Sequence, residues 1–365
     1  MKILLISNMY PSKDYPFYGI FVKNFENQLM PEGFKFETVA IKGRGRTKIE
    51  KLKKYFHFFS DIFRALNEDK YDLIYVHYVG HTLLPFLLFK RNLSKPLVVN
   101  AHGSDIFSVS NIGHLIQKMI TPIIKEADMV VVPSNYFKSI IEEKFSIHKN
   151  SIFISPSGGI DTNLFMPLAL EKREIFTVGF VSRIDEGKGW DVLLDAVYLL
   201  KQKNLNFKVL LVGSGDQNDA MLKKIDELEL SGIVEYVGAK PHDELPYYFN
   251  QMDIFAFTTT RLAESLGLVG LEAMACGVPV VGSNIGGLPS YISENVNGKL
   301  FETGNSAMLA KYIEFFMALN KDEFSKYKTH ALETAKRYDS KIVARELADK
   351  LKEVSKYTNA QREKI

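Results

Sequence analysis

The chain alternates short apolar runs with longer amphipathic segments along most of its 365 residues. Most of the runs are rich in Val and Ile, and segments with helical spacing of apolar residues separate them. Continuous apolar strands that alternate with helices indicate parallel sheets covered on both faces. The expected strands are 3–7, 36–41, 73–77, 97–101, 129–133, 152–155, 176–181, 209–212, 234–237, 254–257, 278–281 and 299–301.

Twelve strands are too many for one ordinary doubly wound sheet, so the pattern predicts two α/β domains of the same class. The Gly- and Pro-containing stretch 155–174 has the composition of a linker. We therefore expect one domain over 1–167 and a second over 168–339. A last helix is expected over 340–357, with Ile342, Leu347 and Leu351 on its buried face.

Composition narrows the class of protein. Hydrophobic residues make up 46% of the chain, as in globular proteins, and the single Cys276 excludes a disulfide framework or a multi-Cys metal site. No run approaches the ~18 apolar residues of a membrane span. The first residues have too short an apolar run for a signal peptide. The expected location is the cytoplasm, free or peripheral on the inner face of the cell membrane.

Charge is unevenly distributed although the net charge is only +3. Residues 1–165 carry 21 Lys and Arg against 15 Asp and Glu, and seven of these cations lie in 42–54, before a Phe-rich stretch. Such a segment suits an anionic membrane surface, single-stranded nucleic acid, or a solvated face whose aromatics enter the core. The small net charge argues against nucleic acid. The membrane-contact candidates are Arg44, Arg46, Lys51, Lys53 and Lys54.

Parallel sheets bind ligands beyond the carboxyl ends of their strands, so with two domains we expect the site in the cleft between them. After the strand at 254–257, Glu264 precedes a helix that starts near Gly267 and carries Glu272. Free N–H groups at the helix start suit a phosphate, and the carboxylates can accept hydrogen bonds from sugar hydroxyls. The alternative is a loop charge and an exposed helix residue.

A second pair of polar residues follows the strand at 176–181. Arg183 and Lys188 lie in the turn before the next helix, where two cations can clamp a diphosphate. The alternative is a surface pair neutralised by Asp185 and Glu186.

In the first half, His102 follows a buried-looking strand in "NAHGSD". It could bind a substrate hydroxyl or relay a proton, or it could be a structural histidine. Gly19 would let the backbone approach a ligand, or belong to an ordinary turn. The absence of any Asp-x-Asp means that the sequence gives no support for a carboxylate-pair site for a divalent ion.

Taken together, these motifs resemble the retaining GT-B glycosyltransferases of family 4, also called group 1. Glu264 and Glu272 match that family's E-x7-E element, and "SRIDEGKG" matches its G-R-x4-K-G element with Ser182 in place of Gly. "GGIDTNLFMP" resembles its inter-domain segment. "NIGGLPSYISENVNG" resembles another of its elements, with Ser290 where the family usually has Glu.

The resemblance implies two facing Rossmann-like domains with a cleft between them, and a nucleotide-sugar, UDP- or GDP-linked, bound by the second. It assigns the ribose to Glu272, the donor sugar to Glu264, and the diphosphate to Arg183 and Lys188. His102 would lie near the donor sugar and the acceptor. Further donor-binding residues would be Gly267, Leu268, Val269, Gly19 and Ser182.

The resemblance also implies sugar transfer with retention of configuration and without a metal, so no metal and no other cofactor is expected. The opening "YPSKDYPFYGIFVKN" looks like family members that build bacterial surface polysaccharides or glycolipids, which favours a glycan or lipid-linked acceptor. Two alternatives stay open, a GT-B nucleotide-sugar epimerase and a non-catalytic partner subunit with the same fold.

Overall fold

The computed structural model describes residues 1–362 except 46, 89–92, 104, 108–109 and 171–173, and side chains as far as residue 356. The chain divides into two compact units. Unit 1 comprises Met1–Gly159 and Ser340–Ile365, and unit 2 comprises Ile160–Asp339.

Unit 1 contains a six-stranded sheet in the order β2-β1-β3-β4-β5-β6, with every neighbouring pair parallel. The chain runs outward in opposite directions from β1 and β3, so the topological switch point lies between these two strands. The strands are β1 Lys2–Tyr10, β2 Lys35–Lys42, β3 Leu73–His77, β4 Leu97–Asn100, β5 Met129–Val132 and β6 Ile152–Ile154. The helices are α1 Ile20–Leu29, α2 Lys48–Glu68, α3 Asn111–Glu126, α4 Asn135–Phe145 and α11 Ser340–Arg362.

Both faces of the first sheet are covered. Helices α2, α3 and α4 pack on one face, with Phe58 and Ile120 buried among the strand residues. Helices α1 and α11 cover the other face, where Val22 and Leu351 are fully buried. Two covered faces explain why these strands read as continuous apolar runs in the sequence.

Unit 2 also has six parallel strands, in the order β12-β11-β10-β7-β8-β9. Its switch point lies between β7 and β10, from which the chain again runs outward in opposite directions. The strands are β7 Phe176–Val181, β8 Phe207–Val212, β9 Val234–Gly238, β10 Ile254–Phe257, β11 Val280–Ser283 and β12 Gly298–Phe301. The helices are α5 Trp190–Lys201, α6 Asn218–Glu227, α7 Leu245–Phe249, α8 Leu268–Ala275, α9 Ser306–Ala318 and α10 Lys321–Lys336.

The expected fold class is confirmed, since all twelve expected strands are present and they divide six and six between two Rossmann-like sheets. Residues 160–167, which the sequence assigned to the first domain, lie in unit 2. Ile160 pairs with Asp339 there, and Phe165 is buried against Phe249.

The buried face of the last helix differs from the expected one. Leu347 and Leu351 are buried as expected, but Ile342 is 45% exposed. Ala344 and Ala348 complete the apolar face instead, because the true stripe follows spacings of three and four residues.

Candidate functional site

The loops that follow β7 and β10 lie at the switch point of unit 2, where parallel α/β sheets bind ligands. Lys188 lies in the first loop and Glu264 in the second, 76 positions apart. Lys188 Nζ donates to Glu264 Oε2 at 2.9 Å, and both side chains are mostly buried. Thr259 Oγ1 donates to the same oxygen at 3.3 Å. Two residues selected from separate motifs therefore form one contact.

Hydrogen bonds to backbone carbonyls hold these two loops together. Thr258 Oγ1 donates to the carbonyl of Gly189 at 2.7 Å, and the amide of Thr260 donates to the carbonyl of Gly187 at 2.9 Å. Gly189 has φ of 76°, and a Cβ at this position would lie 1.8 Å from the carbonyl oxygen of Thr258. Glycine is therefore required both for the left-handed backbone and for the close approach of the loops.

The loop of Glu264 is also held from its other side. The amide of Gly287 donates to the carbonyl of Glu264 at 2.9 Å, and a Cβ on Gly286 would lie 2.4 Å from the same oxygen. The "NIGG" part of the sequence thus acts locally by supporting the main chain at Glu264.

Glu272 lies on α8 and is only 8% exposed, so it is not the exposed helix residue that the sequence left as an alternative. Its Oε1 is 2.9 Å from His242 Nε2. This hydrogen bond raises the pKa of His242, because it favours the protonated imidazole.

The start of α8 is formed by Gly267, which has φ of 79°. The buried hydroxyl of Tyr291 donates to the Gly267 carbonyl at 3.1 Å and holds this turn. Leu268 and Val269 pack against an apolar cluster. Their backbone N–H groups, rather than their side chains, are thus the groups that suit an anion at the helix start.

Arg183 lies apart from the Lys188–Glu264 contact. Its side chain is 68% exposed and pairs with Asp185 at 2.7 Å, which is the surface pairing that the sequence left open. Asp185 in turn accepts the amide of Asp216 at 3.1 Å, and a Cβ on Gly215 would lie 2.4 Å from its Oδ1. Gly215 of the "VGSGD" segment is therefore explained by its close packing against Asp185.

Ser182 follows β7 directly, and its amide donates to the carbonyl of Val212 at 3.1 Å. A Cβ on Gly213 would lie 1.7 Å from the Ser182 carbonyl oxygen. Ser182 therefore contributes to the packing of β7 against the loop after β8.

In unit 1, His102 follows β4 and contacts a second histidine. His77 Nδ1, at the end of β3, is 2.8 Å from His102 Nε2. Burial lowers the pKa of His102 to about 4 and also lowers that of His77 well below its usual value, so both rings are neutral near pH 7. The Nε2 of His77 is buried and has no hydrogen-bond partner among the described residues.

Asp105 holds the loop of His102. Its carboxylate accepts from the backbone amides of Val79, His102 and Gly103 at 2.8–3.1 Å. Burial raises the pKa of Asp105 to about 6, against the opposing effect of these donors. The aspartate is thus a backbone clamp that joins the ends of β3 and β4.

Gly19 precedes α1 with φ of 72°, and a Cβ there would lie 2.6 Å from the carbonyl carbon of Met9. The space that this glycine leaves is occupied by the end of β1. A glycine is therefore needed at position 19 because the start of α1 lies so close to that strand.

The basic segment forms the loop before α2 and the first turns of that helix. A capping box between Thr47 and Glu50 fixes the helix start. Lys51 and Lys53 lie in the first two turns of α2. Lys54 Nζ donates a hydrogen bond to the carbonyl of Lys42 at 2.6 Å. Arg44 stacks 5.2 Å over the Tyr18 ring, and Arg46 lies outside the described residues. The apolar residues exposed nearby are Ile49, Leu52 and Phe56.

Among the described residues, no helix is both long and apolar enough to cross a membrane. The same part of the chain contains no group of three His, Cys, Asp or Glu side chains placed to hold a metal ion.

Sequence reasoning missed His242, His77 and Thr259, which contact the predicted residues directly. His77 ends a strand next to that of His102, so its position beside a candidate residue was a usable signal. His242 lies in a loop after β9 and carried no comparable signal, since its partner is 30 positions away.

Comparison with known proteins agrees with the architecture. The family described as "Glycosyl transferases group 1" matches residues 166–334, and "Glycosyltransferase Family 4" matches residues 24–164. An uncharacterised glycosyltransferase of Methanocaldococcus jannaschii is 27% identical over 70% of this chain and 67% of its own length. An amylovoran biosynthesis glycosyltransferase of Erwinia amylovora is 35% identical over 36% of this chain and 33% of its own length.

This chain thus spans only about a third of the length of the Erwinia protein. Among solved structures, Anabaena HepE in complex with UDP has a TM-score of 0.78 at 21% identity, covering 97% of this chain and 100% of that one. The similarity in fold therefore includes both units. The two family matches adjoin along the chain, and with the two Rossmann-like units they show that the chain belongs to the group 1, family 4 glycosyltransferases of the GT-B fold.

Proposed function

We propose that this protein transfers a sugar from a nucleotide-sugar, UDP- or GDP-linked, to a glycan or lipid-linked acceptor. We expect retention of the anomeric configuration and no requirement for a metal. The observation that carries the proposal is the Lys188–Glu264 contact at the switch point of unit 2.

A buried cation beside a carboxylate suits a reaction that breaks the bond between the sugar and the diphosphate of a nucleotide-sugar. The ammonium of Lys188 can turn from Glu264 to the leaving diphosphate and stabilise its developing charge. Glu264 is then released to accept hydrogen bonds from the donor sugar. Arg183, on the exposed side of the same loop, can exchange its pairing with Asp185 for the diphosphate.

Glu272 suits the ribose of the donor. A buried carboxylate accepts hydrogen bonds from two neighbouring hydroxyls, and the N–H groups at the start of α8 favour the adjacent phosphate. His242 occupies one oxygen of Glu272 and must share or leave it when the ribose binds.

In a retaining reaction of this kind, the sugar–phosphate bond breaks and the acceptor oxygen attacks on the same face. The leaving phosphate oxygen takes the acceptor proton, so stabilising its charge matters more than a strong side-chain base. His102 is neutral near pH 7 and suits a hydrogen bond to a sugar hydroxyl.

The relatives support a nucleotide-sugar donor and a role in surface glycans. Anabaena HepE was solved with UDP and with UDP-glucose, and the Erwinia relative is named for amylovoran biosynthesis. We place this protein in the cytoplasm, where the face of α2 with Lys53 and Phe56 contacts anionic lipid. Equal co-sedimentation with neutral and anionic vesicles would contradict that membrane contact.

The donor site is tested by thermal shift in EDTA with UDP-, GDP-, ADP- and dTDP-sugars. A ligand at 100 times its Kd adds about 2.7 kcal/mol to the free energy of unfolding. One nucleotide series should raise the melting temperature of the wild type. Lys188→Ala and Glu272→Ala should each reduce that shift and abolish transfer while the fold is kept.

Lys223→Ala is the matched control, because Lys223 is an exposed lysine of unit 2 paired with Glu227. A Lys188→Ala or Glu272→Ala protein with full activity would show that the residue is wrongly assigned. Product analysis without acceptor separates transfer from epimerisation, since an epimerase changes the sugar in the donor alone.

A further inference from the structure

A cavity of about 370 Å³ opens at the carboxyl ends of β1 and β2 in unit 1, and all of its lining residues belong to that unit. Its volume lies near the lower end of small-molecule sites, about 300–1,000 Å³. We call it the basic pocket, and its polar lining is Asn8, Tyr18, Arg44, Lys51, Lys54 and Tyr55.

Three cations line the basic pocket without a neutralising carboxylate. Over the described residues, no Asp or Glu lies within 4.0 Å of the charged nitrogens of Arg44, Lys51 or Lys54. Arg44 is held over the Tyr18 ring, which leaves its N–H groups available. Lys54 anchors the pocket wall through the carbonyls of Lys42 and Gly43. An arrangement of this kind favours an anion, and above all a phosphate.

Asn8 adds a requirement that an anion alone does not meet. It is 9% exposed, and its buried Oδ1 has no hydrogen-bond partner in the part of the chain that the structure describes. A buried acceptor that lacks a donor is unfavourable, so a ligand that donates a hydrogen bond to it is favoured. The dianion of a phosphate monoester has no O–H on its phosphate, whereas a sugar or polyol hydroxyl is such a donor.

We propose that the basic pocket binds the phosphate of a phosphorylated sugar or polyol, with Arg44 and Lys51 on the phosphate and Asn8 accepting from a hydroxyl. The inference rests on the proposed function, because it makes the acceptor a phosphate-bearing molecule. The phosphate can belong to a soluble sugar phosphate or to a lipid headgroup, which offer the same chemistry.

Calorimetric titration of the full-length protein with glucose 1-phosphate tests the pocket directly. Arg44→Gln and Lys51→Gln should each weaken binding about tenfold or more, as expected for a lost hydrogen bond to a charged group. Lys53→Gln is the matched control, since Lys53 is a lysine of the same helix that does not line the pocket. Lys53→Gln should leave the affinity unchanged.

Ligand comparison tests the part assigned to Asn8. Glucose 1-phosphate should bind more tightly than methyl phosphate, whose dianion has no O–H donor, and glucose without phosphate should not bind. Equal affinity for methyl phosphate and glucose 1-phosphate would overturn the role of Asn8.

Two further experiments distinguish the basic pocket from the donor site and the soluble phosphate from a headgroup. Lys188→Ala should keep glucose 1-phosphate binding, and a loss in that variant alone would place the ligand in the donor site and overturn the proposal. With vesicles containing phosphatidylinositol, Lys51→Gln should weaken binding more than Lys53→Gln if the phosphate is a headgroup.

Equal losses in both variants, with no binding of the soluble phosphate, would mean a general charge effect and would also overturn the proposal. Failure of the donor site is distinguishable from these results. It would appear as no shift with any nucleotide while glucose 1-phosphate still binds.

Discussion

Lys188 and Glu264 neutralise each other in a mostly buried position. At the residue scale each needs the other, because a buried charge without a partner is costly, and under the proposed function a substrate supplies the new partners. The same argument applies to Glu272, whose partner is His242.

The Glu272–His242 contact makes a prediction about pH. The pKa of His242 is raised above its usual value, so the protonated ring stabilises the folded state below about pH 6.5, and this contribution is lost as pH rises through the raised pKa. We expect His242→Gln to lower the melting temperature at about pH 5.5 and to leave it unchanged at about pH 9. The effect should be under about 1 kcal/mol, because the ring is largely exposed.

The control is His330→Gln, because His330 also contacts a glutamate but lies on the exposed surface of α10. A second readout is the Kd of the donor nucleotide, which should fall as pH rises because neutral His242 releases Glu272 more easily. A donor Kd with the same pH dependence in His242→Gln and the wild type would contradict this role.

His77 is expected to act through His102 as a positioning residue. His77→Phe keeps a buried ring but removes the nitrogen that contacts His102 at 2.8 Å. We expect this change to lower kcat more than KM. His77→Asn places a polar atom near the former Nδ1 and should restore part of the rate. Equal kcat values in the two variants would indicate a packing role only.

At the scale of elements, the site depends on how closely the loops after β7 and β10 approach. Because Gly189 has no side chain, the start of α5 can lie against the carbonyl of Thr258. Because Gly286 has no side chain, the loop after β11 can lie against the carbonyl of Glu264. These glycines look alike in a sequence, but each is required by a different neighbour.

Gly189→Ala tests this close approach, with Gly304→Ala as its control. Their φ angles are 76° and 79°, but of the two only Gly189 has a described neighbour within 4 Å of the added Cβ. Gly304→Ala should cost about 1–2 kcal/mol for the left-handed backbone. Gly189→Ala should cost about 1–3 kcal/mol more, because the loops must move apart. Urea unfolding measures both, and equal losses would show that the loops adjust freely.

At the scale of the whole molecule, unit 1 is built from two segments that are far apart in the sequence. The chain completes unit 2 at Asp339 and then returns to unit 1 as α11. Ala348 and Leu351 are fully buried there, beside the strands of the first sheet.

Leu351→Ala should therefore destabilise unit 1 and not unit 2. A buried Leu→Ala change costs about 2–5 kcal/mol. Hydrogen exchange should become faster in β1 and β3 and stay unchanged in β7 and β10. The control is Ile342→Ala, an exposed apolar residue of the same helix, which should change neither. Faster exchange in β7 would contradict the division into units.

The sequence by itself determined the twelve strands and the two α/β units. These follow from local patterns, because burial on both faces of a parallel sheet and turns at strand ends leave their record in neighbouring residues. Only the tertiary structure decided which side chains meet. Strand order brings the ends of β7 and β10 together and pairs His77 with His102. The packing of the segment after β9 against α8 places His242 beside Glu272. The open acceptor of Asn8 among three cations likewise exists only after β1 and β2 lie side by side, since contacts between distant residues depend on topology that no local pattern encodes.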